Sequence, residues 1–315
     1  MKSNEVQLPG QYDFGSLEWI SKQLANGFMS GYHRSPYHGF SVEFAEHRPY
    51  NAGESIRFID WKVYARTEKL LIKKFEEETN LRCRILLDTS SSMYYPATEP
   101  QYITPENPSK IHFSILSAAA LIHLFKSQRD SFALTFFDEN SYTHTSEGSS
   151  ALHQRQCFEH LKAALPMPAT QKRRQTKLPE VLHQLAETSP KNSLLILFSD
   201  LILPDQNAFD ELNKSFNHLK FNKIQLLIFH TLHFKTEIEF EFDTSAPIIL
   251  VDAETGKEVK VSPVEAKEVY KKNILKQIKK LHAYCLDTGI DIHLSDVQAG
   301  YYHVLSEYLK KRSRK

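Results

Sequence analysis

Asp88-Thr89-Ser90-Ser91-Ser92 places a carboxylate and two spaced hydroxyls directly after the apolar run Ile85-Leu86-Leu87. Hard cations such as Mg²⁺ or Mn²⁺ take carboxylate, hydroxyl and water oxygens, and a turn, unlike a strand, can aim both Ser90 and Ser92 at one point. Two more positions offer oxygen: Asp200, after the run Leu194–Phe198, and Thr176, in the loop Lys172-Arg173-Arg174-Gln175-Thr176 ahead of a helix at Leu178. Three loops can then converge on one cation, with carboxylates bringing charge and hydroxyls filling positions without over-neutralising it. That leaves room for water or an incoming carboxylate. Clusters of Ser, Thr and Asp also mark turns and helix caps, and Thr176 is equally placed to cap the helix at Leu178.

The elements that must position these residues follow from apolar patterning. From Cys83 onward, buried runs alternate with amphipathic helices, which predicts βαβ units and a mostly parallel central sheet flanked by helices, an α/β fold. Strands are expected at Ile85–Asp88, Phe132–Asp138, Leu194–Phe198, Ile224–Phe229 and Ile290–Leu294, with a short hairpin arm through Tyr142. Helices are expected at Ser109–Ser127, Ala151–Leu165, Leu178–Glu187, Asn207–Leu219, Pro263–Leu286 and Tyr301–Lys311. Ser262 and Pro263 suit a helix start and Gly289 a helix stop. Within a small antiparallel β insertion near 236–261, Ile238-Glu239-Phe240-Glu241-Phe242 has the period of two expected of a half-exposed strand. In open α/β sheets ligands bind outside the carboxyl ends of the strands, which is where Asp88 and Asp200 fall.

Residues 1–80 read differently, as a turn-rich N-terminal arm ahead of a main domain at 81–315. They hold six of the ten glycines. There Arg48, Tyr50, Arg57, Asp60, Trp61 and Arg66 alternate charge with aromatic surface, suited to bidentate carboxylate–guanidinium pairs and to stacking. They serve either as a clamp tying the arm to the sheet or as a surface for docking a partner.

Competing functions find less support. A net charge of +1 from 39 basic and 38 acidic residues gives no general case for nucleic acid or membrane binding, and the basic patches Arg173-Arg174, Lys279-Lys280 and Lys310–Lys315 are short. The three cysteines, Cys83, Cys157 and Cys285, are dispersed and suit a reducing compartment. The start Met1-Lys2-Ser3-Asn4-Glu5-Val6-Gln7 lacks the apolar stretch of a signal peptide, and Ile115–Phe125 falls short of the ~20 residues of a membrane span, so the expected location is cytoplasmic. The glycine-rich P-loop string GxxxxGK[ST] and the GxSxG nucleophile elbow are absent. A phosphatase with Asp88 as nucleophile needs an acid two residues on, where Ser90 stands. His230 and His233, three apart along a strand, face opposite sides and do not form a zinc pair.

The Asp-x-Ser-x-Ser string, with a threonine and an aspartate on later loops, resembles the metal-ion-dependent adhesion site of von Willebrand factor A domains, which have a Rossmann-like fold. That likeness implies Asp88, Ser90, Ser92, Thr176 and Asp200 as metal-site residues, although Arg174-Gln175 stand where such domains commonly have glycines. Upstream, Arg48-Pro49-Tyr50-Asn51-Ala52-Gly53-Glu54-Ser55-Ile56-Arg57-Phe58-Ile59-Asp60-Trp61, followed by Ala65-Arg66, resembles the signature of the bacterial domain-of-unknown-function family fifty-eight. The resemblance implies an arm joined to a von Willebrand A-like core, and a MoxR-type AAA+ ATPase as partner. The expected function is a non-enzymatic protein-interaction module, with Mg²⁺ or Mn²⁺ as cofactor and a partner supplying an acidic residue. Two alternatives stay open: a metal-independent scaffold with a vestigial site that works through the arm, and a metal-dependent phosphoester hydrolase.

Overall fold

A computed structural model of the chain describes residues 17–32, 46–49, 61–74, 81–96, 108–139, 142–165, 173–242, 244 and 246–313. Strands β1 to β10 run Glu46–Pro49, Leu71–Lys74, Arg82–Asp88, Ser131–Phe137, Tyr142–His144, Leu194–Ser199, Gln225–Leu232, Ile248–Val251, Glu258–Val261 and Asp291–Asp296. Helices α1 to α8 run Leu17–Tyr32, Trp61–Thr67, Lys110–Ser127, Ala151–Ala164, Leu178–Thr188, Gln206–Phe221, Pro263–Thr288 and Tyr302–Ser313. The chain forms two compact units, Met1–Phe28 with Leu81–Lys315, and Met29–Asn80.

The larger unit is built on a six-stranded sheet of order β10-β7-β6-β3-β4-β5. The pairs β10–β7, β7–β6, β6–β3 and β3–β4 are parallel, and only the short edge strand β5 is antiparallel. The expected α/β architecture is therefore borne out, including the hairpin arm through Tyr142. Strand β6, Leu194–Ser199, is buried at every position, as a central parallel strand covered on both faces must be. Leu86, Leu195, Leu197, Leu226 and Ile228 share one core cluster with Leu182 of α5, Phe216 of α6 and Leu281 of α7. On the other face α3 is buried almost throughout, its Phe113 stacking on Tyr301 and its Phe125 meeting Tyr308 of α8 edge-on. A helix apolar all round is stable only when sandwiched in this way.

The helix ends at Gly289 as expected, with a left-handed φ of 76° that a Cβ would disfavour. One expected element is corrected. Ile238–Phe242 is not a strand: Phe234–Ile238 forms a single π-type turn, and Phe240 has a φ of 53°, which no strand tolerates. The period of two there reflects anchoring of a different kind. Ile238 packs with Leu232 and Ile278, the Phe240 ring lies tilted against Tyr270 with centroids 4.4 Å apart, and Glu239 and Glu241 pair with Lys271 and Lys267 of α7. The antiparallel insertion is instead the hairpin β8–β9, whose register runs Ile248↔Val261 to Val251↔Glu258.

The smaller unit pairs β1 with β2 antiparallel, Arg48 standing opposite Ile72, and carries α2. Trp61, at the start of α2, is 56% exposed and meets Tyr64 edge-on at 6.0 Å; Arg66 is also exposed. Tyr50, Arg57 and Asp60 lie outside the described residues.

Candidate functional site

Connections from β3 lead to β4 on one side of the sheet, whereas β6 leads to β7 and β10 on the other. The switch in direction opens a crevice between the carboxyl ends of β3 and β6. Asp88 is the last residue of β3, and Asp200 follows the last residue of β6. Both side chains are buried. After Asp88 the chain turns sharply into the single 3₁₀ turn Ser91–Tyr94, which brings Ser90 and Ser92 to the same side with their Oγ atoms 3.2 Å apart. The Ser90 amide donates to Asp88 Oδ1 at 2.9 Å, and Ser199 Oγ donates to Asp88 Oδ2 at 2.8 Å, so the carboxylate is held from both sides.

Thr176 reaches this crevice through a reciprocal stitch between two loops. The Ser91 amide donates to the Arg174 carbonyl at 2.9 Å, and the Arg174 amide donates to Ser91 Oγ at 2.8 Å. Arg174 also extends its guanidinium to Asp138 Oδ2 at 2.6 Å, at the end of β4. Where glycines would make a tight loop, Arg174 thus anchors it through both backbone and side chain. Lys177, not Thr176, occupies the N-cap of α5, which corrects the capping alternative for Thr176. Thr176 Oγ1 is buried and has no hydrogen-bond partner among the described residues. Thr176 and Ser92 both line a cavity of about 650 Å³ that opens above the strand ends.

Three residues that the sequence did not single out complete the site. Lys110, the first residue of α3, is fully buried, and its Nζ lies 2.8 Å from Asp200 Oδ2 and 2.6 Å from Glu237 Oε1. A cation at a helix N-terminus opposes the helix dipole, so two carboxylates must hold it there. Ser92 Oγ donates to Glu254 Oε1 at 3.1 Å, bringing in a residue from the turn between β8 and β9.

Burial pushes the Asp88 carboxyl up to about 6, Asp200 adding to the rise and the bonds from Ser90 and Ser199 opposing it. Glu254 rises to about 7 through burial and the charges of Asp200 and Asp88, against the pull of the Ser92 bond. Burial would raise Asp200 as well, but the Lys110 ammonium outweighs it and holds this carboxyl below its ordinary value. Lys110 itself is held above the usual lysine range, since Asp200 and Glu237 outweigh its burial. The site therefore carries more carboxylate than one ammonium can neutralise.

His230 and His233 do not share a ligand. His230 Nε2 lies 2.8 Å from the Asp200 carbonyl oxygen, so that nitrogen carries the proton, whereas His233 Nδ1 lies 2.9 Å from Thr236 Oγ1. Burial brings His230 down to about 4, which keeps it neutral. Among the described residues no group of three or more His, Cys, Asp and Glu side chains is arranged to hold a metal, so hydroxyls would have to contribute to any cation site. Among them, too, no helix is long and apolar enough to cross a membrane.

No curated protein matches the chain. Among solved structures it is similar to one described as "Crystal Structure of the SpRpn10 VWA domain", at 15% identity and a TM-score of 0.36, over 49% of this chain and 76% of that one. The strand order and registers described above define the fold. The family model described as "Protein of unknown function DUF58" matches residues 46–280, spanning the β1–β2 unit, the three site loops and the hairpin, and the chain belongs to that family.

Proposed function

We propose that the chain is a non-enzymatic protein-interaction module that holds Mg²⁺ or Mn²⁺ at the carboxyl edge of its sheet. Asp88, Ser90, Ser92 and Thr176 would hold the ion, and Asp200 would orient it from beside Lys110. The observation that carries this reading is Thr176 Oγ1, a buried hydroxyl with no partner beside a cluster short of positive charge. An unpaired buried hydroxyl costs about 1–3 kcal/mol, and a cation would remove that cost. The bound ion would supply a positive anchor for a carboxylate. The protein's own groups would align that anchor, and the apolar cavity walls at Leu203, Leu212 and Phe240 would exclude water around it.

His230 is not placed as a general base, since it is neutral and its Nε2 is turned to a backbone carbonyl. The family resemblance makes a MoxR-type AAA+ ATPase the favoured partner, with this chain as adaptor in protein or complex assembly. The proposed setting is the cytoplasm, where the buried free thiols Cys83, Cys157 and Cys285 would stay reduced.

A second reading has its own support. The Lys110 ammonium already serves Asp200, and Trp61 presents an exposed indole on α2. On that reading the cation site is vestigial and the arm docks the partner. Nucleotide-free binding of a MoxR-type ATPase, measured in chelator and in excess Mg²⁺, separates the two. The first reading predicts affinity only with metal, lost in Asp88→Ala; equal affinity under both conditions, lost instead in Trp61→Ala, selects the second.

A further inference from the structure

We propose that Glu254 is the site's own carboxylate ligand, supplied in cis, and that the β8–β9 hairpin is a strap closed over the site by it. The inference rests on the metal reading above and names the group that completes the site before any partner arrives.

Glu254 meets the serine of a loop 162 positions away, accepting from Ser92 Oγ at 3.1 Å. Its approach is built in by the turn. Asp252 accepts at one carboxylate oxygen from the amides of Glu254 and Thr255, at 2.8 and 3.0 Å, and its own amide donates to the Lys257 carbonyl. Gly256 then takes a left-handed φ of 79°, and the Arg173 guanidinium lies where a Cβ would stand, 1.3 Å from Nη1. Glycine suits this left-handed backbone, and the exposed Arg173 side chain lies across the turn.

The strap is separable from the fold beneath it. Among the described residues β8 and β9 pair only with each other, and an isolated two-stranded hairpin is marginal by itself. Leu250, Ala253 and Glu254 of the strap line the same cavity as Ser92, Lys110 and Thr176. Ile249, 60% exposed and not part of the cavity lining, is apolar surface that a partner lifting the strap would meet. The charges of Asp200 and Asp88 oppose the closed position of Glu254, and a divalent cation held by Asp88 and Glu254 together with the Ser90, Ser92 and Thr176 hydroxyls would offset that repulsion. A partner's acidic side chain would then compete with Glu254 for the same ion.

The test is Mn²⁺ binding by the full chain, read from the free-ion paramagnetic resonance signal, in wild type, Glu254→Gln and Asp88→Ala, with hydrogen exchange of the amides at 248–261. Glu254→Gln keeps the shape and the Ser92 contact and removes only the charge. We expect it to bind Mn²⁺ at least about tenfold more weakly than wild type. Saturating Mn²⁺ should slow hairpin exchange in wild type and not in the variant. Unchanged or tighter Mn²⁺ affinity in Glu254→Gln, with binding still lost in Asp88→Ala, overturns the role of Glu254 and leaves the metal reading standing. Absence of Mn²⁺ binding in wild type overturns both.

Discussion

Lys110→Met removes the one ammonium buried in the site while keeping the length and apolar stem of the side chain. Lys110 is fully buried, and the side chains of Asp200 and Glu237 are 3% and 17% exposed, at 2.8 and 2.6 Å. At such separations each pair is worth about 6 kcal/mol in an effective dielectric near 20, of which desolvation takes back several. Truncating the shared cation leaves two carboxylates without a counter-charge, so the loss of stability should be about 3–5 kcal/mol in chelator. The same change raises the demand for another cation. Mg²⁺ at about a hundred times its dissociation constant should return roughly 2.7 kcal/mol, more than wild type gains at the same concentration. Equilibrium urea unfolding in chelator and in Mg²⁺ reads both numbers. A loss below about 1 kcal/mol in chelator, the range of an exposed pair, would refute the buried triad. A full loss that Mg²⁺ leaves untouched would refute its link to a cation site.

Ser91→Ala should cost about 1 kcal/mol by removing the part-buried bond from the Arg174 amide, and should weaken Mn²⁺ binding by loosening the Thr176 loop; intact affinity would show that the stitch does not position Thr176. The raised Asp88 carboxyl keeps its proton in the folded state up to about pH 6, whereas the unfolded chain releases it near 3.8. Its favourable contribution is therefore present at low pH and lost as pH rises through that window. In chelator the stability gap between Asp88→Asn and wild type should shift in the variant's favour by about 2.4 kcal/mol from pH 4 to pH 7, and a pH-independent gap in urea titrations would contradict this. Trp61→Ala should change stability by less than about 0.5 kcal/mol because the indole is exposed, so a larger loss by thermal melting would mark Trp61 as a structural clamp.

The parallel strands were legible because burial on both faces writes itself as a continuous apolar run, as in Leu194–Phe198, and because a carboxylate directly after such a run falls at the sheet's carboxyl edge. Gly289 was legible for an equally local reason, its left-handed backbone. The site's counter-charges were not. Lys110 begins an apolar helix 90 positions before Asp200, and nothing within its own segment names the partner. A signal was present, since a lysine at the unfavourable end of a helix whose next fifteen residues are almost all buried needs an acidic neighbour from elsewhere. Glu254 sat in a polar turn whose reach to Ser92 depends on how the hairpin folds over the strand ends. Ile238–Phe242 misled because alternation of apolar and acidic residues is also produced when the apolar set packs on one neighbour and the glutamates pair with lysines of α7. Periodicity reports which side chains are buried, not the backbone that buries them.

The most direct test of the account is titration calorimetry of Mg²⁺ and Mn²⁺ into the wild-type chain and Asp88→Ala, both first brought to the metal-free state and checked for fold by circular dichroism. The account predicts a saturable single-site isotherm in wild type, accompanied by proton release as the raised carboxyls ionise, and no isotherm in the folded variant. An identical response of the two proteins, binding or none, would contradict it.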